Sequence, residues 1–186
     1  MTDTYLVTNA KARQQQSSVS IFWDIQNVNL KFKSLEFFSR KLQYFASEQG
    51  KLVLQNVYYN SQHPNQVNNK IILEKLDFKC VDVPIQCKNS ADNQLIADCV
   101  KWVAFNPSNT IILVLGDKDF AGLICILRSL GKKVIIFAQR GNASQKLIKI
   151  VGNNNFHFID ELPELVKQKK QSQPIYFTPQ KATIHI

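Results

Sequence analysis

The chain contains few of the features that mark a membrane, secreted or low-complexity protein. No apolar run in its 186 residues reaches the length of about 20 residues that a membrane-spanning helix needs. The N-terminal segment contains no apolar stretch of the kind that a signal peptide requires. Only six glycines and six prolines occur, and the sequence shows no internal repeat. The composition therefore predicts a soluble, cytoplasmic globular protein of one domain, without a membrane partner.

Cysteine is also scarce, and its spacing argues against cysteine-based sites. The four cysteines are Cys80, Cys87, Cys99 and Cys125. They form no CxxC pair and no Cys/His spacing typical of a zinc site. Cys99 and Cys125 fall on apolar faces of predicted helices, where cysteine acts as a small hydrophobic residue. We expect four free thiols in a reducing compartment.

Acidic residues are outnumbered by basic ones, 14 against 23, which gives a net charge of +9. Residues 163–186 contribute four Lys and one Glu to this excess. A basic chain favours a polyanionic partner, above all nucleic acid. We expect a flexible N-terminal arm at 1–18, a folded domain at 19–162, and a basic helix end and tail at 163–186. The tail is expected either to hold RNA or to pack on the domain.

Strand-like and helix-like segments alternate along the folded domain. Apolar runs predict strands at residues 19–25, 51–59, 78–84, 111–115, 134–137 and 156–159. Helical spacing predicts helices at residues 34–49, 65–76, 91–105, 120–130, 144–151 and 161–169. Ser34 is expected to cap the first helix and Gly50 to end it. The alternation predicts an α/β fold with an open, mostly parallel central sheet and helices on both faces.

Two aspartates follow the most apolar of these strands. Asp117 and Asp119 come directly after the run Ile111 to Gly116, at the edge of a parallel sheet where ligands bind. Two carboxylates there repel each other unless a positive charge lies between them, and a divalent cation is the usual partner. Alternatively, one of the two caps the following helix. A cap explains one aspartate of the pair and leaves the second without a role.

Other carboxylates fall at equivalent places. Asp24 ends the first strand, and Asn27 follows three residues later; the alternative is that both only form a turn. Asp92 and Asp98 lie on the helix at 91–105, and Asp92 also suits the first turn of a helix. The two are about 600° apart around the helix axis, so only one of them is expected to face the same cleft. The pattern predicts a clustered acidic site at the carboxyl edge of the sheet.

Three segments together resemble the NYN domain of the PIN-like ribonuclease superfamily, in its LabA-like branch. They are FWDIQNV, KNSADNQLIAD and LVLGDKDFAGLICILRSLGKKV, in that order, and the similarity extends over residues 19–162. The resemblance implies a Rossmann-like, three-layer PIN-type fold, a divalent cation at the sheet's carboxyl edge, and endonuclease action on RNA. By similarity, the acidic positions are held by Asp24, Asp92, Asp117 and Asp119, the supporting positions by Asn27 and Asp98, and the lysine before the helix by Lys88.

Three residues depart from the family's pattern without removing a carboxylate. Leu115 stands where a small hydroxyl residue is common, Lys118 replaces a small residue between the two aspartates, and Trp23 is bulky for its place. These three departures concern the level of catalytic activity of the acidic site, not the presence of its carboxylates.

The leading hypothesis is an endoribonuclease that depends on Mg²⁺ or Mn²⁺. Asp24, Asp117 and Asp119 are the expected metal ligands, and Asp92 is a further ligand or a general base. Lys88, Lys118 and Arg140 are expected to attract the RNA backbone, or else to be solvated surface charges. A non-catalytic module for RNA or protein binding on the same fold remains the alternative, as does a homodimer or a protein partner. A phosphatase is disfavoured, because Gln26 stands where its second aspartate is needed.

Overall fold

The computed structural model describes residues 17–84, 90–106 and 108–171, in which strands and helices alternate. The strands are β1 (Ser18–Asp24), β2 (Lys51–Tyr59), β3 (Lys79–Asp82), β4 (Thr110–Val114), β5 (Lys133–Ala138) and β6 (Phe156–Phe158). The helices are α1 (Phe32–Gln49), α2 (Pro64–Glu74), α3 (Ser90–Phe105), α4 (Ala121–Ser129), α5 (Gln145–Val151) and α6 (Leu162–Gln171). Short 3₁₀ turns lie at Lys118–Phe120 and Asn153–Asn155.

The six strands form one sheet in the order β3-β2-β1-β4-β5-β6, and every neighbouring pair is parallel. This confirms the predicted α/β class with a parallel central sheet. The chain order of the strands reverses between β1 and β4. In open α/β sheets, such a reversal leaves a crevice outside the carboxyl ends of the two central strands, where ligands bind.

Apolar side chains of the central strands alternate between two cores, one on each face of the sheet. Trp23 and Val114 belong to the core beneath α1, α2 and α6, whereas Phe22 and Leu113 belong to the core beneath α3, α4 and α5. Strands covered on both faces need apolar residues at successive positions. This is why the central strands appear in the sequence as unbroken apolar runs.

Trp23 fills the first of these cores. Its ring is fully buried and meets Phe38 and Phe78 edge-to-face, with centroid separations of 5.3 and 6.0 Å. Its Nε1 donates to the carbonyl oxygen of Val28 at 3.1 Å. The bulk of this residue therefore serves the core under α1, on the opposite face of β1 from the next side chain, Asp24.

The ends of α1 show one wrong and one confirmed prediction. The helix begins at Phe32 after Lys31, and no side-chain cap is present, so Ser34 is not its N-cap. The helix ends at Gly50 as predicted. A Cβ atom at position 50 would collide with the carbonyl oxygen of Ser17, which accepts a 2.7 Å hydrogen bond from Lys51 N. Glycine is therefore required where α1 turns into β2.

The described cysteines are free thiols. Cys99 is buried, which raises the pKa of its thiol to about 12. Cys125 is exposed, so the expectation that it lies on an apolar helix face was wrong. Cys87 lies outside the described residues, as do residues 1–16 and 172–186, which cover most of the predicted arm and tail. Within the described part of the chain, no helix is long and apolar enough to span a bilayer.

Candidate functional site

Two aspartates stand at the carboxyl ends of the two central strands. Asp24 is the last residue of β1, and Asp117 comes three residues after β4. The strands are paired in register, with Trp23 opposite Val114. Both carboxylates therefore stand at the crevice where the strand order reverses.

The carboxyl group of Asp24 is buried and held in a fixed orientation. Its Oδ1 accepts from Gln26 N at 2.8 Å, and its Oδ2 accepts from Asn27 Nδ2. Val28 N donates to the Asp24 carbonyl oxygen at 3.1 Å, so Asp24 does open a turn. Burial raises the pKa of Asp24, and the hydrogen bonds from Asn27 and Gln26 oppose that rise. A turn alone does not require a carboxyl group with no exposed surface.

Asp92 joins this group from the first turn of α3. It is 9% exposed, and burial is the main reason that its pKa rises to about 7. The charge of Asp24, a hydrogen bond with it, and the charges of Asp117 and Asp119 raise the pKa further. The other three carboxyl groups thus lie close enough to Asp92 to influence it. Together, Asp24, Asp92, Asp117 and Asp119 are called the acidic cluster below.

Asp117 also caps the short 3₁₀ turn that follows it. Its Oδ1 accepts from Asp119 N at 3.2 Å, so the capping alternative holds for this residue. The two roles of Asp117 are compatible, because the cap uses only Oδ1 and leaves Oδ2 for the cluster. Phe120, fully buried, fixes the turn to the core. Asp119 is exposed at the mouth of the site.

The loop after β5 forms the opposite wall of the site. Ser144 N donates to the Gly116 carbonyl oxygen at 3.0 Å, and a Cβ atom at Gly116 would lie only 2.7 Å from the carbonyl oxygen of Asn142. Glycine before Asp117 therefore allows the two loops to approach closely. The resulting cleft of about 430 Å³ is called the acidic cleft; its lining includes Asn27, Gly116, Asp117, Lys118 and Asn142.

The donor set of the acidic cluster fits a hard divalent cation. It consists of carboxylate oxygens, the ligands that Mg²⁺ and Mn²⁺ prefer. Burial is the main cause of the raised pKa of Asp92, and a cation would relieve the additional rise that comes from the neighbouring charges. Within the described residues, no group of three His, Cys, Asp or Glu side chains stands in position to hold a metal. The ligand set Asp24, Asp117 and Asp119 stays a prediction.

The structure does not bring Asp98 into the acidic cluster. Asp98 Oδ2 accepts from the Tyr58 hydroxyl and Oδ1 accepts from Gln94 Nε2, both at 3.0 Å. It lines a separate cleft with Lys101 and Trp102. Asp98 is six residues along α3 from Asp92, a rotation of about 600°, so the two carboxylates point to different places.

The three predicted RNA-binding cations have different surroundings. Lys118 is exposed and lines the acidic cleft. Arg140 donates to Asp160 at 2.8 Å and to Glu161 at 2.9 Å, and its guanidinium lies 4.1 Å from the centroid of the Phe158 ring. Lys88 lies outside the described residues. The nucleic-acid role of all three stays a prediction.

Two amide residues of the site were not singled out from the sequence. Gln26 and Asn142 both line the acidic cleft, and Asn142 Nδ2 approaches the Asn27 carbonyl oxygen at 3.5 Å. The available signal was their position just after β1 and β5, at the same edge of the sheet as Asp24 and Asp117. Polar residues are common in such loops, which made this signal weak.

Comparisons with known proteins agree with this geometry. The family model described as NYN domain matches residues 18–160. A solved structure of a protein of unknown function from Vibrio parahaemolyticus is 25% identical, with a TM-score of 0.62, over 80% of this chain and 96% of that one. A search of curated proteins found no match. The family match does not extend to the LabA-like branch, which stays a prediction.

Proposed function

The chain belongs to the NYN domain family, a family of PIN-like nucleases, and on that basis we propose that it is a divalent-metal-dependent endoribonuclease. The observation that carries the proposal is the acidic cluster at the crevice between β1 and β4. Burial raises the pKa of Asp92, and the charges of Asp24, Asp117 and Asp119 raise it further, although the four residues come from three separate segments of the chain. Structural stability alone gives no reason to place four carboxyl groups so close.

Each residue of the cluster has a role in the proposed reaction. Asp24, Asp117 and Asp119 would hold Mg²⁺ or Mn²⁺, which supplies an activated water and neutralises charge on the phosphate. Asn27 fixes the orientation of Asp24 through its hydrogen bond. Asp92, buried and hydrogen-bonded to Asp24, would act as a further ligand or as a general base. Lys118, exposed beside the cleft, attracts the phosphate backbone.

A non-catalytic RNA-binding module is the second candidate. It is favoured by the net charge of +9 and by the lack, within the described residues, of three side chains already in position to bind a metal. Both candidates bind RNA through the same edge of the sheet. They differ in whether the RNA backbone is cleaved when a divalent cation is added.

The deciding experiment follows cleavage of end-labelled RNA by the purified protein. Structured and unstructured RNAs are incubated with Mg²⁺, with Mn²⁺ and with EDTA. We expect internal cleavage with either metal and none with EDTA. Asp117→Asn should abolish this cleavage, whereas Asp77→Asn, an exposed residue beyond the amino end of β3, should keep it. Equal cleavage by the wild type and Asp117→Asn would contradict the proposal, and binding without cleavage would favour the second candidate.

A further inference from the structure

A second groove, larger than the acidic cleft, lies directly beside it. We propose that this groove is where the protein binds unpaired bases of the RNA strand whose phosphate lies at the acidic cluster, with Phe32 as the stacking surface. It has a volume of about 880 Å³ and is formed by the start of α1, by α2, and by the loops after β1 and β5. It is called the amide groove below. The inference rests on the proposed function for the position of the phosphate, but binding alone tests it.

The two cavities are continuous. Gln26 and Asn142 line both the acidic cleft and the amide groove. A strand that places one phosphate at the acidic cluster therefore has its neighbouring nucleotides within reach of the groove. The wall between the cavities is the pair of loops that already positions Asp24 and Asp117.

The chemistry of the lining fits the edges of nucleobases. Seven of the thirteen lining residues are Asn or Gln, whose amides both donate and accept hydrogen bonds, as base edges do. Part of the set is fixed in place, because the buried Asn69 donates to Asn29 Oδ1 at 3.0 Å. Asn65 and Asn68 are exposed and present their amides to an entering ligand. Bases in a duplex have these edges paired, so the groove suits unpaired ones.

An exposed aromatic ring stands at the same groove. Phe32, the first residue of α1, is 64% exposed and contributes to the lining. Ile71, 49% exposed, lines the same groove, so the ring is part of an exposed apolar surface within it. Base stacking on aromatic side chains is a general mode of binding single-stranded nucleic acid. Phe32 therefore supplies a stacking surface next to the amides that recognise base edges.

The charge of the groove favours a polyanion. Lys31 and Lys75 line it, and none of the described lining residues is acidic. The neighbouring acidic cleft repels the backbone unless a cation is present, whereas the groove attracts it. The groove between α1 and α6 differs, because its lining is mainly apolar and includes Asp160. The amide groove is thus the better match to RNA.

Binding measured without cleavage tests the inference. Fluorescence anisotropy in EDTA gives the Kd of the full chain for a labelled single-stranded RNA and for the same strand in a duplex. We expect tighter binding of the single strand. Phe32→Ala should weaken single-strand binding roughly tenfold, within the range that loss of one stacked base produces, and should leave duplex binding unchanged. Phe32→Trp should restore binding, whereas Phe32→Leu, apolar but without a flat ring, should not.

Phe37 provides the matched control. It lies on the same helix and is 52% exposed, but it lines the groove between α1 and α6. Phe37→Ala should bind both RNAs like the wild type. Equal effects of the two alanine variants would overturn the inference, and so would a wild type that prefers duplex. A Phe32 surface that binds an acidic peptide but no RNA would also overturn it, in favour of a protein partner.

The outcomes also separate this inference from the proposed function. Selective loss of single-strand binding in Phe32→Ala supports the groove even if the wild type does not cleave RNA. Metal-dependent cleavage by a wild type whose single-strand binding is insensitive to Phe32 overturns the groove and leaves the nuclease proposal standing.

Discussion

The acidic cleft and the amide groove share two residues but differ in almost every physical property. Asp24 and Asp92 of the acidic cluster are buried behind the cleft, and burial, with the neighbouring carboxyl groups, raises the pKa of Asp92. The groove is open, and its lining is mainly neutral amides, with two lysines and an exposed ring. Charged groups in low dielectric act strongly on a reacting phosphate, whereas exposed amides and rings recognise shape and base edges. If the proposed function holds, catalysis and substrate choice lie on adjacent, separable surfaces.

The largest effect on cleavage is expected from a substitution of Asp24. Comparing it with a substitution of Asp98 tests which carboxyl groups belong to the catalytic site. Asp24→Asn keeps an acceptor for Gln26 N but removes a buried charge, so we expect cleavage to fall at least about 100-fold. Asp98→Asn should cleave RNA nearly as the wild type does, because Asp98 contacts Tyr58 and Gln94 instead of the cluster. Cleavage rates on one RNA substrate, with circular dichroism to verify folding, check both. A strong loss of cleavage in Asp98→Asn would show that the catalytic site includes Asp98 as well as the four carboxylates of the acidic cluster.

Gly116→Ala should damage the wall that both cavities share. The added Cβ would lie 2.7 Å from the backbone carbonyl oxygen of Asn142, so the loop after β5 must move. We expect a loss of about 1–3 kcal/mol in the free energy of unfolding, together with weaker cleavage and weaker RNA binding.

Gly122→Ala is the matched control for that variant. Gly122 lies in α4 with nothing within 4 Å of an added Cβ. This substitution should stabilise the protein by about 0.5–1 kcal/mol, because alanine is the better helix former. Chemical denaturation measures both variants. A Gly116→Ala protein as stable and active as the wild type would show that the loops are not in close contact.

The pH dependence of stability should report the burial of Asp92 together with the repulsion from its neighbours. The pKa of Asp92 is about 7 in the folded, metal-free protein against an ordinary value of 3.8. The unfolded state therefore loses this proton first, and the destabilisation grows as pH rises from about 4 to about 7 and then stays constant. The substitution Asp92→Asn removes this destabilisation, because the amide carries no charge at any of these pH values. In EDTA, the Tm of this variant minus that of the wild type should increase between pH 5 and 7 and stay constant between pH 8 and 9.

Divalent cation should narrow that difference in Tm, because it neutralises the charges that repel Asp92. A difference in Tm that is the same at every pH would show that Asp92 is not influenced by its neighbours.

The smallest effect concerns the charge of the amide groove. Lys75→Ala should lower the slope of log K against log salt for single-stranded RNA by about 0.7, the value for one phosphate contact. Lys41→Ala, beside Phe37 in the other groove, should leave the slope unchanged. Titrations at several salt concentrations separate the two. Equal slopes for both variants would mean that the backbone does not pass over Lys75.

Sequence patterns predicted the fold because each element depends mainly on its own residues. The strand at 51–59 was predicted with its observed bounds, since its apolar run is bounded by Gly50 and Asn60. The start of α1 was misplaced, because Ser34 matches the composition of a cap but the helix begins two residues earlier, without a side-chain cap. Local composition indicates where capping is possible, whereas packing of Leu35 and Phe38 into the core fixes where the helix begins.

The sequence by itself determined the alternation of elements and the placement of Asp24 and Asp117 after apolar strands, because these follow from local patterns of polarity. Only the tertiary structure decided that β1 lies beside β4, that Asp92 faces Asp24, and that Asp98 faces Tyr58. It also assembled the amide groove, whose residues Gln26, Asn68 and Asn142 are far apart in the chain. Exposed amides follow no periodic pattern, so only the packing of helices and loops reveals which of them share a surface.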